Sequence, residues 1–429
     1  MSRFSKYVPS GVDWIGDIPS FWKLLRIKSL IKDEQNGVWG EEEKGDGNDV
    51  ICIRVADFDS DFDKVTPMNN TLRSIPEKDL TKRSLMVGDL LIEKSGGGDT
   101  SPVGRVGFYD IMGIEAVSSN FIARLRLIET VVDSRFLFYF FKKLYRDKVN
   151  TRSIKQTTGI QNIDTYAYFN ERIALPPKQE QVAIANYLDE KTAQIDKLIS
   201  DKQRLIELLR EEQAAVINEA VSGHGKNWEK KKLKYLAIKI GSGITPKGGS
   251  EVYLHEGVPL LRSQNIYSDG LRLDELAFIS EDVDELMSNS RILEGDVLLN
   301  ITGASIGRCY YVHDGFGKGN VNQHVCIVRP NQAMSTKFLH FFLVSFVGQT
   351  YIKTCQNGAN REGLNFQQLG SFVIPVPQIN EQQSIIEYLE RESGRIIRSV
   401  RLIEQEIDLL NEFRAALISE VVTGKIKVA

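Results

Sequence analysis

The second half of this chain repeats the motif order of the first, and a tandem repeat limits the possible folds more than any single element does. Trp22-x3-Arg26-Ile27-Lys28-x-Leu30 returns 206 residues later as Trp228-x3-Lys232-Leu233-Lys234-x-Leu236. Ile53-Arg54-x2-Asp57 returns as Leu261-Arg262-x2-Asn265 at an offset of 208, and Gly88-Asp89-Leu90-Leu91 as Gly295-Asp296-Val297-Leu298 at 207. Ser134-x-Phe136-Leu137-x-Tyr139-Phe140 matches Thr336-x-Phe338-Leu339-x-Phe341-Phe342 at 202. From Glu180-Gln181-x2-Ile184-x2-Tyr187-Leu188, matched by Glu381-Gln382-x2-Ile385-x2-Tyr388-Leu389, the offset holds at 201 through Val221-x-Gly223 and Val422-x-Gly424. A drifting offset marks loops of unequal length, and a fixed one marks a segment rigid in register, as a helix is. The chain reads as variable unit, helix, variable unit, helix.

Each helix opens after prolines, Pro176-Pro177 and Pro375-Val376-Pro377, and closes on a glycine, Gly223 and Gly424, suited to a left-handed cap. Between them Ile184, Leu188, Ile195, Ile199, Ile206, Leu209, Val216 and Ala220 step by three, four and seven, which draws one apolar stripe along a helix. The second copy repeats the stripe with Ile385, Leu389, Ile396, Val400, Ile407, Leu410, Leu417 and Val421. A helix over 179–221 runs ~65 Å at 1.5 Å per residue. That exceeds what one small domain covers, so the natural partner of each stripe is the other, in an antiparallel coiled coil. Antiparallel pairing relates the repeats by a pseudo-two-fold axis and sets the variable units at opposite ends of a spacer, a geometry suited to two sites on one duplex about a helical turn (~34 Å) or more apart.

The variable units alternate short β-prone runs (Val50–Val55, Asp89–Ile92, Arg105–Tyr109, Phe121–Leu127) with Gly/Asp-rich turns. Each carries one helix, over about 134–149 and 336–354, whose aromatics Phe136, Phe138, Tyr139 and Phe140 read as core. The fold class is therefore α+β, with a curved, mostly antiparallel sheet in each unit. The domain boundaries are 1–176, 177–223 for the central helix, 224–376, and 377–429 for the last helix.

Residues 20–155 hold 22 Lys and Arg against 21 Asp and Glu, and the whole chain has net charge -3. A nucleic-acid surface here must come from clustering, not from bulk charge. The candidates on loops and strand ends are Arg54, Lys94, Arg105, Arg152, Lys155 and Gln161 in the first unit. In the second they are Arg262, Gln264, Asn265, Arg308, Gln323, His324, Lys353 and Arg361. Arg reads guanine, and Asn or Gln reads adenine, through paired hydrogen bonds in the major groove.

Other chemistries find little support. Asp57, Asp59, Asp61 and Asp63 alternate like a calcium loop, but Phe62 and Met68 stand where glycine and glutamate are needed. Asp89, Glu93 and Lys94 faintly resemble a nuclease triad, which the second copy loses as Asp296, Asn300 and Ile301. Cys52, Cys309, Cys326 and Cys355 lack CxxC spacing and read as buried thiols. The sequence carries no GxxxxGK[ST] loop and no HExxH motif. The longest apolar run, Phe338 to Val347, is too short to span a bilayer, and the expected location is the cytoplasm.

Several stretches together resemble the specificity subunits of type I restriction–modification systems. They are Ser10-Gly11-Val12-x-Trp14-Ile15-Gly16-x-Ile18-Pro19 with Trp22, Thr158-Gly159-Ile160-Gln161-Asn162-Ile163, and Pro176-Pro177-x2-Glu180-Gln181-x2-Ile184. Ile195-Asp196-x-Leu198-Ile199 and Thr423-Gly424-Lys425-Ile426 complete the match. The resemblance implies that each variable unit is a target recognition domain reading half of a bipartite, asymmetric double-stranded DNA site. It implies no catalytic residue and no cofactor in this chain. S-adenosylmethionine, ATP and Mg belong to two methyltransferase subunits and to restriction/translocase subunits, with no membrane partner. The paired helices become a ruler and a dock, with Ile184, Leu188, Ile195, Ile199, Leu209, Ile385, Leu389, Ile396, Val400 and Leu410 as the partner-binding stripe. The second copy departs at Asn357-Gly358-Ala359-Asn360-Arg361-Glu362-Gly363, so contacts do not transfer there from the first.

Overall fold

The computed structural model describes residues 3–45, 49–58, 65–66, 71–98, 100–157, 159–356 and 363–428. The chain divides into two compact units, Met1–Asp201 with Gln405–Ala429, and Lys202–Glu404. Each unit holds one variable domain and part of both long helices, which run Lys178–Val221 and Ile379–Val422, 44 residues each. The first helix starts one residue after, and ends two residues before, the 177–223 read from sequence; the last starts two residues after 377 and ends at Val422, seven residues before 429.

The same sheet recurs in each unit. In the first, four antiparallel strands lie in the order Val106–Phe108, Leu90–Glu93, Ile122–Leu127, Ile31–Asn36. In the second, Cys309–Tyr311, Val297–Asn300, Val325–Pro330 and Ala237–Ser242 take the same places. Among the described residues the antiparallel expectation has one exception per unit: Ala116–Ser118 runs parallel to Val50–Ile53, and Asn320–Val321 parallel to Val258–Leu261.

The Gly-Asp motif of each repeat explains itself in this sheet. Gly88 (φ +96°) and Gly295 (φ +85°) hold left-handed turns. The aspartate that follows accepts a backbone N–H from three residues back, Met86 or Leu293, and an Arg from the adjacent strand. The ion pairs are Arg126–Asp89 at 2.8 Å and Arg329–Asp296 at 2.7 Å, with both aspartates buried. Asp89 is thus a strand-end brace; Lys94 donates to Asn36 Oδ1 at 2.6 Å, so these two residues of the nuclease-like fragment serve separate contacts.

The domain helix of the first unit is Ser134–Arg146, capped by the Asp133 carboxylate, and its aromatics pack into the core as expected. The second unit breaks the single helix read from sequence into Thr336–Val344 and Phe346–Gln356. Ser345 is extended at the break (φ -65°, ψ 162°), and its hydroxyl donates to the Phe342 carbonyl at 2.7 Å while accepting from the Gly348 N–H at 3.3 Å. Gly348 permits the close approach, since a Cβ there would lie 2.2 Å from the Phe342 carbonyl oxygen.

The Glu-Gln motif opening each long helix is a clamp. Gln181 accepts from the Asp133 N–H at 2.7 Å and donates to the carbonyls of Val131 (3.1 Å) and Pro176 (2.9 Å). Gln382 makes the same three bonds to Ser335 N–H (2.7 Å) and to the carbonyls of Ala333 and Pro377 (2.9 Å each). A short antiparallel strand pair, Lys23–Arg26 with Arg172–Leu175 or Glu229–Lys232 with Val373–Val376, closes each domain just before its helix.

Both units pair helix against helix. In the first, Arg414 bonds Asp196 at 2.6 Å, and Ile195, Ile199, Leu417 and Ile418 share one core. In the second, Arg395 reaches Glu212 (2.7 Å) and Arg210 lies 3.7 Å from Glu404. Rising numbers on one helix meet falling numbers on the other, so the pairing is antiparallel. The caps expected at Gly223 (φ +66°) and Gly424 (φ +73°) are present. A Cβ at Gly223 would meet Pro375 and Trp228, and one at Gly424 would meet Pro19 and Trp22. The chain's end is also held by Tyr7, whose hydroxyl donates to the Gly424 carbonyl at 2.9 Å, and by Lys425, which donates to the Asp17 carbonyl.

Candidate nucleic-acid interface

One end of each main sheet gathers most of the cations and amides that the sequence singled out. In the first unit the strands Ile31–Asn36 and Leu90–Glu93 finish at the same end, on either side of Ile122–Leu127, where Lys94 reaches Asn36. Arg105 starts the neighbouring strand, with its carbonyl accepting from the Glu93 N–H at 2.9 Å. Its guanidinium donates to the Val55 carbonyl (3.2 Å) and lies over the Phe58 ring. Arg54 follows Val50–Ile53 at the same end and grips Asp57 through both Nε (3.3 Å) and Nη2 (3.2 Å). The hairpin Ile154–Thr157/Ile160–Ile163 joins through Ser95–Gly96 and carries exposed Lys155, ion-paired to Asp164 at 2.7 Å. Arg152 is exposed in the turn Val149–Ser153.

The second unit repeats the turn after its equivalent strand. Asn265 Oδ1 accepts from the Arg262 N–H at 3.0 Å, as Asp57 Oδ2 accepts from Arg54 N–H at 2.8 Å. The Arg262 guanidinium covers the Tyr253 ring and donates to the Glu275 carbonyl at 3.3 Å. Arg308, at the place of Arg105, lies 4.6 Å from the Tyr267 ring centre, and Arg272 lies 4.8 Å from the same ring. Gln264 is exposed, Gln323 and His324 half-buried at the start of Val325–Pro330, and Lys353 exposed on Phe346–Gln356. Arg361 lies outside the described residues, as do Asp59, Asp61 and Asp63 of the calcium-like stretch.

Two candidates need correction. Gln161 is buried, with Oε1 accepting from the Val103 N–H at 3.3 Å. Asn265 is buried too, with Nδ2 donating to the Arg272 carbonyl at 2.9 Å. Both side chains shape the edge from within and are not presented to a ligand. Sequence reasoning also passed over Asn36, Asn120, Phe121, Thr302, Tyr253, Tyr267 and Arg272. An offset of 203 sets Asn120-Phe121 opposite Gln323-His324, a signal the alignment of the halves contained.

Beneath each edge is a cavity, of about 620 Å³ in the first unit and about 660 Å³ in the second. Glu93, Arg105, Lys142, Arg146 and Arg414 line the first; Tyr267, Arg308, His340, Phe341 and Arg210 line the second. Burial pushes the Glu93 carboxyl up to about 7, partly offset by the Arg105 charge. Burial lowers His340 to about 4. Among the described residues no group of three or more His, Cys, Asp or Glu is placed to hold a metal.

The apolar stripe assigned to partner binding is used inside the units. Ile184, Leu188, Ile195, Ile199, Leu389 and Ile396 are buried, and Leu209, Ile385, Val400 and Leu410 half-buried. The large apolar helix residues left exposed are different ones, among them Leu198, Leu409 (63 %) and Phe413 (52 %) in the first unit, and Leu205, Leu208, Ile397 and Leu402 in the second.

A duplicated domain that presents Arg, Lys and amide groups at the same sheet end twice over has the build of a binding module. The sequence matches the type I restriction modification DNA specificity domain family twice, over residues 19–208 and 225–410. The chain belongs to that family. It is 23% identical over 337 residues to the type I restriction enzyme EcoBI specificity subunit of Escherichia coli, covering 72% of this chain and 69% of that one. It is 22% identical over 336 residues to the type I restriction enzyme MjaVIII specificity subunit of Methanocaldococcus jannaschii, covering 74% and 76%. Among solved structures, a chain from work on complex assembly and conformational transition of the type I R-M system aligns with TM-score 0.76 at 15% identity, over 95% of this chain and 99% of that one. The HsdS subunit from Thermoanaerobacter tengcongensis aligns with TM-score 0.55 at 15% identity, over 95% and 98%. At these identities the structural likeness speaks for the fold.

Proposed function

We propose that this chain is the non-catalytic DNA-recognition subunit of a type I restriction–modification complex. Each unit reads one half of a bipartite, asymmetric site in double-stranded DNA. The observation that carries this reading is the repeated sheet end, with Arg54 and Arg262 on the same turn and Arg105 and Arg308 on the same strand start. Phosphate contacts from such cations fix register, and amide and guanidinium contacts to base edges give sequence. The net charge of -3 fits a chain whose partner subunits close around the duplex and add positive surface. Two methyltransferase subunits dock on the exposed helix residues, Leu409 and Phe413 in the first unit and Ile397 and Leu402 in the second. Those subunits bring S-adenosylmethionine and adenine-N6 methylation, while restriction/translocase subunits use ATP and Mg. The complex works in the cytoplasm. No helix among the described residues is long and apolar enough to cross a membrane.

The test is methylome sequencing of a host carrying this gene and its neighbours, against deletion of this gene alone. Loss of one split, asymmetric N6-methyladenine motif is the expected result, and it supplies both half-sites. An unchanged methylome from a system shown to be expressed overturns the reading. Arg262→Ala then weakens specific binding by about 1–3 kcal/mol if the residue reads a base. Equal loss on specific and random DNA marks a phosphate contact.

A further inference from the structure

We infer that in the second unit Gln323 reads an adenine of the half-site, and that His324 is the positioning residue that fixes which end of the Gln323 amide faces the base. This rests on the recognition reading above and adds to it one base contact and its mechanism.

The segment 322–324 enters the strand Val325–Pro330 at the candidate edge. Its backbone is pinned from both sides. The Asn322 N–H donates to the Leu261 carbonyl at 3.2 Å, beside Arg262, and Asn322 Oδ1 accepts from the His324 N–H at 3.1 Å. The His324 carbonyl accepts from Ile301 N–H at 3.0 Å, and the Asn300 N–H reaches the Arg308 carbonyl at 2.8 Å. Gln323 and His324 are therefore carried on the same fixed frame as the two edge arginines.

The side chains form a relay. Gln323 Nε2 is 2.8 Å from His324 Nε2, and His324 Nδ1 is 2.6 Å from Thr302 Oγ1. An amide nitrogen only donates, so the neutral ring accepts at Nε2 and carries its proton at Nδ1, which donates to Thr302. One N–H of Gln323 is consumed in this way. The other N–H and both lone pairs of Oε1 are not used by the relay. That remaining donor–acceptor pair is what an adenine edge requires, since N7 accepts and the N6 amino group donates. The relay gives the amide a direction. If the ring proton moved to Nε2, the amide would have to turn its oxygen to the histidine, and donor and acceptor would exchange places before the base. The Thr302 hydroxyl accepts from Nδ1–H in the first arrangement and would donate to Nδ1 in the second, so it holds the ring in place while the amide nitrogen 2.8 Å from Nε2 identifies the first arrangement.

The equivalent positions of the first unit do not build this device. Ser95 stands where Thr302 stands, at the offset of 207, and Asn120 and Phe121 stand where Gln323 and His324 stand, at the offset of 203. Phe121 is exposed and has no ring nitrogen to direct a neighbouring amide. The two units thus read their half-sites by different means, as an asymmetric site requires.

The experiment uses the full chain assembled with its methyltransferase subunits and duplexes in which each position of the second half-site is varied through all four bases. Competition binding is read against random DNA. The wild-type complex is expected to prefer adenine at one position by roughly 10–100-fold, the discrimination of one paired contact. Gln323→Ala should erase the preference at that position alone, with random-DNA affinity unchanged. Gln323→Glu, an acceptor only, should move the preference there to cytosine, an outcome that misfolding cannot imitate. Thr302→Val and His324→Phe should each reduce the preference by about tenfold or more with Gln323 still in place. A Gln323→Ala complex that keeps every base preference, or loses affinity equally for specific and random DNA, overturns the contact. A His324→Phe complex with full preference overturns the positioning role. A wild-type complex with no sequence preference overturns the recognition reading itself.

Discussion

Glu93 offers a direct test of how the first unit is built. It ends the central strand Leu90–Glu93, is only 6% exposed, and faces the cavity that Arg105 also lines. Burial raises its carboxyl from 4.5 to about 7. Below pH 4.5 the group is protonated in both folded and unfolded chains and costs nothing. Between 4.5 and 7 the unfolded chain releases the proton while the folded chain keeps it, so stability falls as pH rises, and above 7 the loss is complete. At 1.36 kcal/mol per unit, the whole window amounts to about 3 kcal/mol. Glu93→Gln keeps the shape and removes the charge at every pH. The variant should match the wild type near pH 4.5 and exceed it by about 3 kcal/mol at pH 8. For a unit of this size that is roughly 6–12 °C in melting temperature. Thermal unfolding followed by tryptophan fluorescence suits the assay, because Trp14, Trp22 and Trp39 lie in the first unit and only Trp228 in the second. Melting curves of wild type and variant that stay parallel from pH 5 to pH 8 would refute the argument, because a solvated Glu93 would carry no such penalty.

Further outcomes follow from the same structure. His340 has the opposite sign: burial holds it at about 4, so the unfolded chain takes up a proton first as pH falls below 6.5, and the second unit loses about 3 kcal/mol by pH 4. His340→Phe, which installs the residue found at Phe138 in the first copy, should flatten that acid slope in a urea titration between pH 4 and pH 7. Gln181→Leu strands one N–H and two carbonyls and should cost about 2–4 kcal/mol, seen as a lower urea midpoint for the first unit. Gln382→Leu should do the same to the second. Gly424→Ala forces a Cβ to 2.5 Å from Pro19 at φ +73° and should cost at least about 1–2 kcal/mol, with faster proteolysis at residues 1–20 as the readout.

The amino-acid sequence by itself determined the architecture of this protein. Motif offsets and a stripe repeating by three, four and seven are local signals, and they suffice to specify two similar domains, two long helices and their glycine caps. The aromatic run around Phe136 was legible as core for the same reason, since apolar periodicity depends on near neighbours alone. Tertiary structure decided which polar residues are offered to a ligand. Gln161 and Asn265 have the right chemistry for reading bases, yet Val103 and Arg272, distant or separated in sequence, take up their hydrogen bonds. The Thr302–His324–Gln323 relay joins residues more than twenty positions apart, so no spacing rule could find it. The stripe that sequence offered to partner subunits is consumed by helix pairing within each unit, and the surface that remains is set by how far each helix is rotated against its neighbour. Periodicity shows that a face is apolar; only packing decides what covers it.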